Sequence, residues 1–142
     1  MSTVSEHYNQ VLANVYSWMF GGFESGVDKN LEFFKKHHIR PTGSKIAVDL
    51  GAGCGFQSIP LAQLGFSVTA IDLEPKLLSE LKNNAGELPI VAIADDLINF
   101  EQHIQGQPEL FVCMTDTVLH LESKEQVILL LEKVALHPCG MI

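Results

Sequence analysis

The residues best suited to chemistry lie in one stretch, Ala47-Val48-Asp49-Leu50-Gly51-Ala52-Gly53-Cys54-Gly55. An apolar run leads into three glycines at alternate positions. Glycine is needed where a ligand lies against the backbone, because a Cβ would clash there. The spacing is Gly-x-Gly-x-Gly. In the Gly-x-Gly-x-x-Gly dinucleotide fingerprint the third glycine permits close packing of helix on strand beside a pyrophosphate; here Phe56 takes that place. Asp49, two residues before Gly51, would repel a pyrophosphate and attract an ammonium group. The competing role for Asp49 is a helix cap or loop brace. A second acid, Asp72, follows Gly51 by about twenty residues, a spacing that suits paired hydrogen bonds to ribose hydroxyls. A third acidic position, Asp95-Asp96, can accept a hydrogen bond from an exocyclic adenine amine. One of that pair is expected to cap the segment starting at Leu97 and the other to face adenine, and the sequence leaves open which. The competing account of the glycines is a tight strand-to-helix connection. Three alternate glycines are costly for that alone, at about 0.5–1 kcal/mol each relative to alanine in regular structure.

These groups need strand ends to hold them. Apolar runs at 45–50, 67–71, 89–94 and 110–114 predict four strands. Helical spacing predicts helices over 56–64, from Pro75 through Lys82, and over 123–136. In the last of these Ser123 and Gln126 form a capping box. Val127, Ile128, Leu131 and Val134 are expected to form its core stripe, with Leu129 and Leu130 beside it. Met141-Ile142 reads as the start of a fifth strand. Two helices come first. One carries Val4, Tyr8, Val11, Leu12, Val15, Tyr16 and Met19 on a single face. The next, introduced by Ser25 and Asp28, carries Val27, Leu31, Phe34 and His38, and Pro41-Thr42-Gly43 breaks the chain after it. Strands alternating with helices predict an α/β fold, a doubly wound parallel sheet with helices on both faces and ligands at the carboxyl ends of the strands.

Composition narrows the classes. The 142 residues suit one domain, with 46% apolar and 18% charged residues, as in globular chains. The net charge is −8, and residues 46–142 carry thirteen acids against four bases. That argues against nucleic acid and anionic membrane as partners. No apolar run approaches the ~20 residues of a membrane span, and the start of the chain lacks the pattern of a signal peptide. Cys54, Cys113 and Cys139 form no Cys-x-x-Cys pair, so neither a disulfide framework nor a zinc site is indicated, and a reducing cytoplasm fits best.

Asp49-Leu50-Gly51-Ala52-Gly53-Cys54-Gly55 resembles the first motif of the class I S-adenosylmethionine-dependent methyltransferases. Asp72 stands where that family has its ribose-binding acid, and Asp95-Asp96-Leu97 resembles its adenine-contacting motif. Cys113-Met114-Thr115-Asp116-Thr117 is similar to the segment after strand four that passes the methionine moiety. Leu136-His137-Pro138-Cys139-Gly140 is similar to the Leu-x-Pro-Gly-Gly turn before strand five, with Cys139 replacing a glycine. The resemblance implies a Rossmann-like core over 45–142, truncated after strand four or early in strand five, and an N-terminal helical lid over 1–40, all within one domain. It implies S-adenosylmethionine as cofactor, held by Asp49, Gly51, Ala52, Gly53, Asp72 with the adjoining Leu73, Asp95, Asp96, Thr115 and, from the lid, Tyr16. His120 is placed to take a proton from a methyl acceptor, although loop or capping roles are commoner for such a histidine.

The activity implied is methyl transfer to a small-molecule acceptor. One alternative is a non-catalytic module that binds S-adenosylmethionine or S-adenosylhomocysteine and needs a partner to complete the acceptor site. Another, a nicotinamide-dependent oxidoreductase, is weakened by Phe56 and Asp49. In the family's strand order, 3-2-1-4, strand four lies at or near an edge, and 110–114 contains no charge, proline or glycine to discourage pairing. A homodimer through that edge and helix 123–136 is therefore expected.

Overall fold

The apolar runs become parallel strands, joined by a short fifth. The computed structural model describes residues 22–114, 121–137 and 139–142. Its elements are α1 (Phe23–Lys36), β1 (Ile46–Leu50), α2 (Ser58–Gln63), β2 (Ser67–Asp72), α3 (Pro75–Ala85), β3 (Ile90–Ala94), a 3-10 helix (Leu97–Gln102), β4 (Leu110–Val112), α4 (Lys124–Ala135) and β5 (Gly140–Met141). The sheet runs β3-β2-β1-β4-β5, every neighbouring pair parallel. The chain winds outward from β1 through β3, then crosses back to place β4 on the other side of β1. The switch in direction lies between β1 and β4, where open α/β sheets leave a crevice at the strand ends.

The period-two alternation of each strand sorts its side chains into two layers. Ala47, Val68, Ala70, Leu110 and Val112 pack with Phe34 of α1, Leu61 of α2 and Leu77 and Leu81 of α3. Val48, Leu50, Ile71 and Phe111 pack on the opposite face with Leu97 and Phe100 of the 3-10 helix and Leu130 and Val134 of α4. Phe100 meets Phe111 edge-on at 5.2 Å, a contact of about 0.5–1.5 kcal/mol beyond its area.

Local signals account for most helix starts. Pro75 opens α3 behind Glu74, whose side chain accepts from the Lys76 amide at 3.1 Å. Ser123 caps α4 by accepting from the Gln126 amide at 3.2 Å, but the Gln126 side chain turns to Glu122. α1 starts before Ser25, with Gly22 as its cap residue and no side-chain cap.

Two expectations are corrected. The buried positions of α4 are Leu130 and Val134, while Ile128 and Leu131 are exposed. With apolar residues at each position from Val127 to Leu131, periodicity does not select the inward face; docking on Phe111 and Phe100 does. His38 lies beyond the end of α1, exposed and in a left-handed conformation (φ 58°), so it shares no core face with Val27 and Phe34. Of the two positions expected for β4, at or near an edge, it takes the second: Leu110 and Phe111 pair with Gly140 and Met141, and the Cys113 amide donates to the Ile142 carbonyl at 2.7 Å. The exposed edge belongs to β5. The helix expected around 4–19 lies outside the described residues, as do Tyr16, Thr115 and His120.

Candidate functional site

The site begins with the direction of one side chain. Val48 and Leu50 face the α4 layer, so Asp49 between them points to the α1–α3 layer. It is 1% exposed. Ser58, at the start of α2 on that same face, donates its hydroxyl to Asp49 Oδ2 at 2.6 Å. Asp49 Oδ1 is buried and has no hydrogen-bond partner among the described residues. Burial pushes the Asp49 carboxyl up to about 7, the Ser58 bonds pull it down, and the negative charge of Asp72 adds to the rise. The nearby Cys113 thiol is pushed up to about 11, by burial first and then by Asp49, so it is no nucleophile at neutral pH.

The glycine turn wraps from Asp49 towards Asp72. Gly51, Gly53 and Gly55 have φ of 81°, 56° and 106°, the left-handed region that side chains disfavour. A Cβ on Gly55 would also sit 2.4 Å from Leu81 Cδ1. Backbone conformation at all three positions, and the Leu81 contact at Gly55, therefore favour glycine before any ligand is considered, so the glycines serve the tight strand-to-helix connection as well as a ligand. The turn is already bonded. The amides of Gly51 and Ala52 donate to the Ile71 carbonyl at 2.8 and 3.0 Å, and that of Gly53 donates to Asp72 Oδ2 at 2.9 Å. Phe56, in the place of the fingerprint's third glycine, stacks on Phe23 at 5.6 Å between ring centroids. Its carbonyl accepts from Asn30 Nδ2 at 2.9 Å. α1 is thereby fastened to the turn.

Asp72 ends β2 on the same face as Val68 and Ala70. Its Oδ1 accepts from the Glu74 amide at 2.9 Å, and burial raises its pKa against the lowering effect of the Glu74, Gly53 and Leu73 amides. A carboxylate offers about four acceptor positions, so these amides leave Asp72 capacity for a further donor. Leu73, beside it, is half-exposed.

At the end of β3 the structure divides the acidic pair. Asp96 caps the 3-10 helix, accepting from the Ile98 amide at 3.1 Å. Asp95 takes the Asp96 amide (2.7 Å) and Asn99 Nδ2 (3.0 Å) on Oδ1, and His103 Nε2 (2.6 Å) on Oδ2. Those donors, His103 first, hold the Asp95 carboxyl down to about 2. Asp96 is thus the capping member, and Asp95 Oδ2 is the less encumbered acceptor.

Asp49, the turn and Asp72 come together on adjacent β1 and β2, with Asp95 at the end of the next strand. Sequence reasoning missed Ser58, Asn30 and His103. A hydroxyl among the apolar residues of α2 was the one available sign of Ser58. Nothing local marks the other two, whose partners are 26 and 8 residues away. The arrangement suits a ligand with an ammonium group near Asp49 and a diol near Asp72: the buried, unpartnered Oδ1 calls for a donor, and the Asp72 oxygens have capacity to spare.

A family profile described as a methyltransferase domain matches residues 47–137. The chain is 30% identical over 96 residues to a glycine/sarcosine N-methyltransferase of Aphanothece halophytica, covering 66% of this chain and 36% of that protein. It is 26% identical over 118 residues to a glycine/sarcosine/dimethylglycine N-methyltransferase of Actinopolyspora halophila, covering 73% of this chain and 20% of that protein. The chain thus spans about a third or less of the length of these curated relatives. In fold it resembles magnesium protoporphyrin IX methyltransferase from Synechocystis PCC 6803, solved with bound S-adenosylmethionine. The TM-score is 0.69 at 22% identity, over 94% of this chain and 69% of that one.

Proposed function

The chain belongs to the methyltransferase-domain family, whose class I members use S-adenosylmethionine as cofactor, and from that premise we propose that it is a methyltransferase acting on a small-molecule acceptor. The observation that carries this reading is the buried Asp49 carboxylate, with one oxygen unpartnered among the described residues, across a left-handed glycine turn from Asp72. Asp49 would accept from the cofactor's ammonium group, and Asp72 from its two ribose hydroxyls. Gly51, Ala52 and Gly53 would let the ligand lie against the backbone, Leu73 would pack on the adenine, and Asp95 Oδ2 would meet the adenine amine. Asp96, occupied as a cap, would contribute through its place in the chain. Thr115, Tyr16 and His120 keep the roles that the resemblance implies, towards the methionine moiety and the acceptor.

When bound, S-adenosylmethionine supplies a methyl group on positively charged sulfur, already activated for in-line displacement. The protein's task is then to align the acceptor and exclude water. We propose that residues 1–40 cover the site, with α1 anchored in the core and the chain before it closing over the cofactor. The Phe23–Phe56 stack supports this, because it sets the start of α1 beside the glycine turn. A homodimer through α4 and the β5 edge is proposed on the exposed Ile128, Leu129, Leu131 and Met141. Among the described residues no helix is long and apolar enough to cross a membrane.

The test is calorimetry with S-adenosylmethionine, S-adenosylhomocysteine and NAD, followed by turnover against an acceptor panel headed by glycine and sarcosine. Binding of the first two with methylation of a panel member is expected. Binding without turnover would leave a cofactor-holding module, and binding of NAD alone would overturn the reading.

A further inference from the structure

We infer that Ser58 is a positioning residue for cofactor binding: by donating to Asp49 Oδ2 it leaves Oδ1 as the carboxylate's acceptor for the ligand's ammonium group. The inference rests on the function proposed above and adds a residue to it. Ser58 is fully buried, and its hydroxyl lies 2.6 Å from Oδ2. Its backbone amide bonds to the same carboxylate. A buried acceptor left without a donor is costly, so a carboxylate with Oδ2 held by the Ser58 hydroxyl and Oδ1 bare among the described residues has an oxygen available for a ligand.

The surroundings offer no substitute. Among the described residues, the titratable groups that bear on Asp49 are Asp72 from β2 and Cys113 after β4, and neither brings positive charge. Without the hydroxyl, the carboxylate would lose its side-chain donor. It would then be held only by the backbone amide of residue 58 and would hold a proton to higher pH, and a protonated carboxyl attracts an ammonium group poorly. Ser58 need not touch the ligand to have this effect.

The experiment compares two ligands. S-adenosylhomocysteine carries the ammonium group; methylthioadenosine is the same nucleoside without the amino-acid arm. In Ser58→Ala, affinity for S-adenosylhomocysteine at neutral pH should fall about tenfold, the scale of one hydrogen bond to a charged group. Affinity for methylthioadenosine should stay unchanged. The acid-side midpoint of the S-adenosylhomocysteine pH profile should move up, and Ser58→Thr should restore both quantities. Equal loss for both ligands would make Ser58 a scaffold residue and overturn the inference, as would no loss for either. Thermal melting of both variants, with methylthioadenosine binding as the second check, separates misfolding from mispositioning. A wild-type chain that binds neither ligand would instead overturn the proposed function, a failure visible before any variant is made.

Discussion

Asp72 does two jobs with one carboxylate. It receives the Gly53 and Glu74 amides, tying the glycine turn to the start of α3, and it keeps lone pairs for a diol. Asp72→Ala should therefore lower S-adenosylmethionine affinity at least tenfold by calorimetry, since bonds to a charged acceptor are worth about 1.5–3 kcal/mol each. The same variant should melt lower than wild type, because two partly buried amides lose their acceptor. Undiminished affinity would remove the ribose assignment. Asp49 makes a prediction of the opposite kind. Its carboxyl is raised from 3.8 to about 7 in the fold, so the folded chain holds a proton that the unfolded chain has released. The resulting stability is fully present below about pH 4 and is lost as pH rises through about 7. At ~1.4 kcal/mol per unit the change is of order 4 kcal/mol. Asp49→Asn should flatten that dependence in urea unfolding between pH 4.5 and 7.5 and stabilise the free domain at the upper end, while weakening the cofactor. Parallel curves for the two proteins would show that Asp49 is not the group responsible.

At the scale of elements, α1 matters most. It belongs to the core through Val27 and Phe34, and it grips the glycine turn through Phe23, Gly26 and Asn30. A Cβ on Gly26 would lie 2.4 Å from the ring of the buried Phe56. Overpacking of this kind typically costs about 1–3 kcal/mol. Gly26→Ala should lower the melting temperature and, by displacing Phe56, weaken cofactor binding as well; unchanged melting would mean that the ring has room to move. The same contact sets the expectation for the preceding chain. If residues 1–40 close over the cofactor, saturating S-adenosylhomocysteine should slow amide exchange in residues 8–22. Exchange indifferent to ligand would remove the lid.

The molecule as a whole presents an uneven surface. One end of the sheet carries β5, two exposed residues with no strand on their outer side among the described residues, and α4 exposes Ile128, Leu129 and Leu131. Exposed apolar residues on a helix and an open strand edge each invite a partner, and a two-fold contact is the commonest solution. Sedimentation equilibrium at micromolar concentration should show a dimer, and the pair Ile128→Glu and Leu131→Glu should return a monomer. A monomeric wild type would refute the dimer.

Much of this was legible in the chain. Asp49, the alternate glycines and Asp72 announce a strand, a turn and a strand end because their constraints are local. A left-handed φ admits little but glycine, and period-two alternation sets which way Asp49 points once Val48 and Leu50 are buried. Pro75 and Ser123 mark helix starts by the same local logic, through a fixed φ in one case and a free acceptor in the other. What the tertiary structure decided depends on groups far apart in sequence. Leu130 rather than Ile128 faces inward because Phe111 and Phe100 fill the space beneath it, and an unbroken apolar run carries no trace of that choice. β5 covers β4 through main-chain bonds, which nearly any residue can make whatever its side chain. Asp95 and Asp96 are adjacent and chemically identical, and only the fold of the 3-10 helix gives one to the Ile98 amide and the other to His103. Ser58 reaches Asp49 because the glycine turn returns the chain so that α2 starts beside that carboxylate, and hydrogen bonds made across such a return depend on where the backbone passes, which no spacing along the chain encodes.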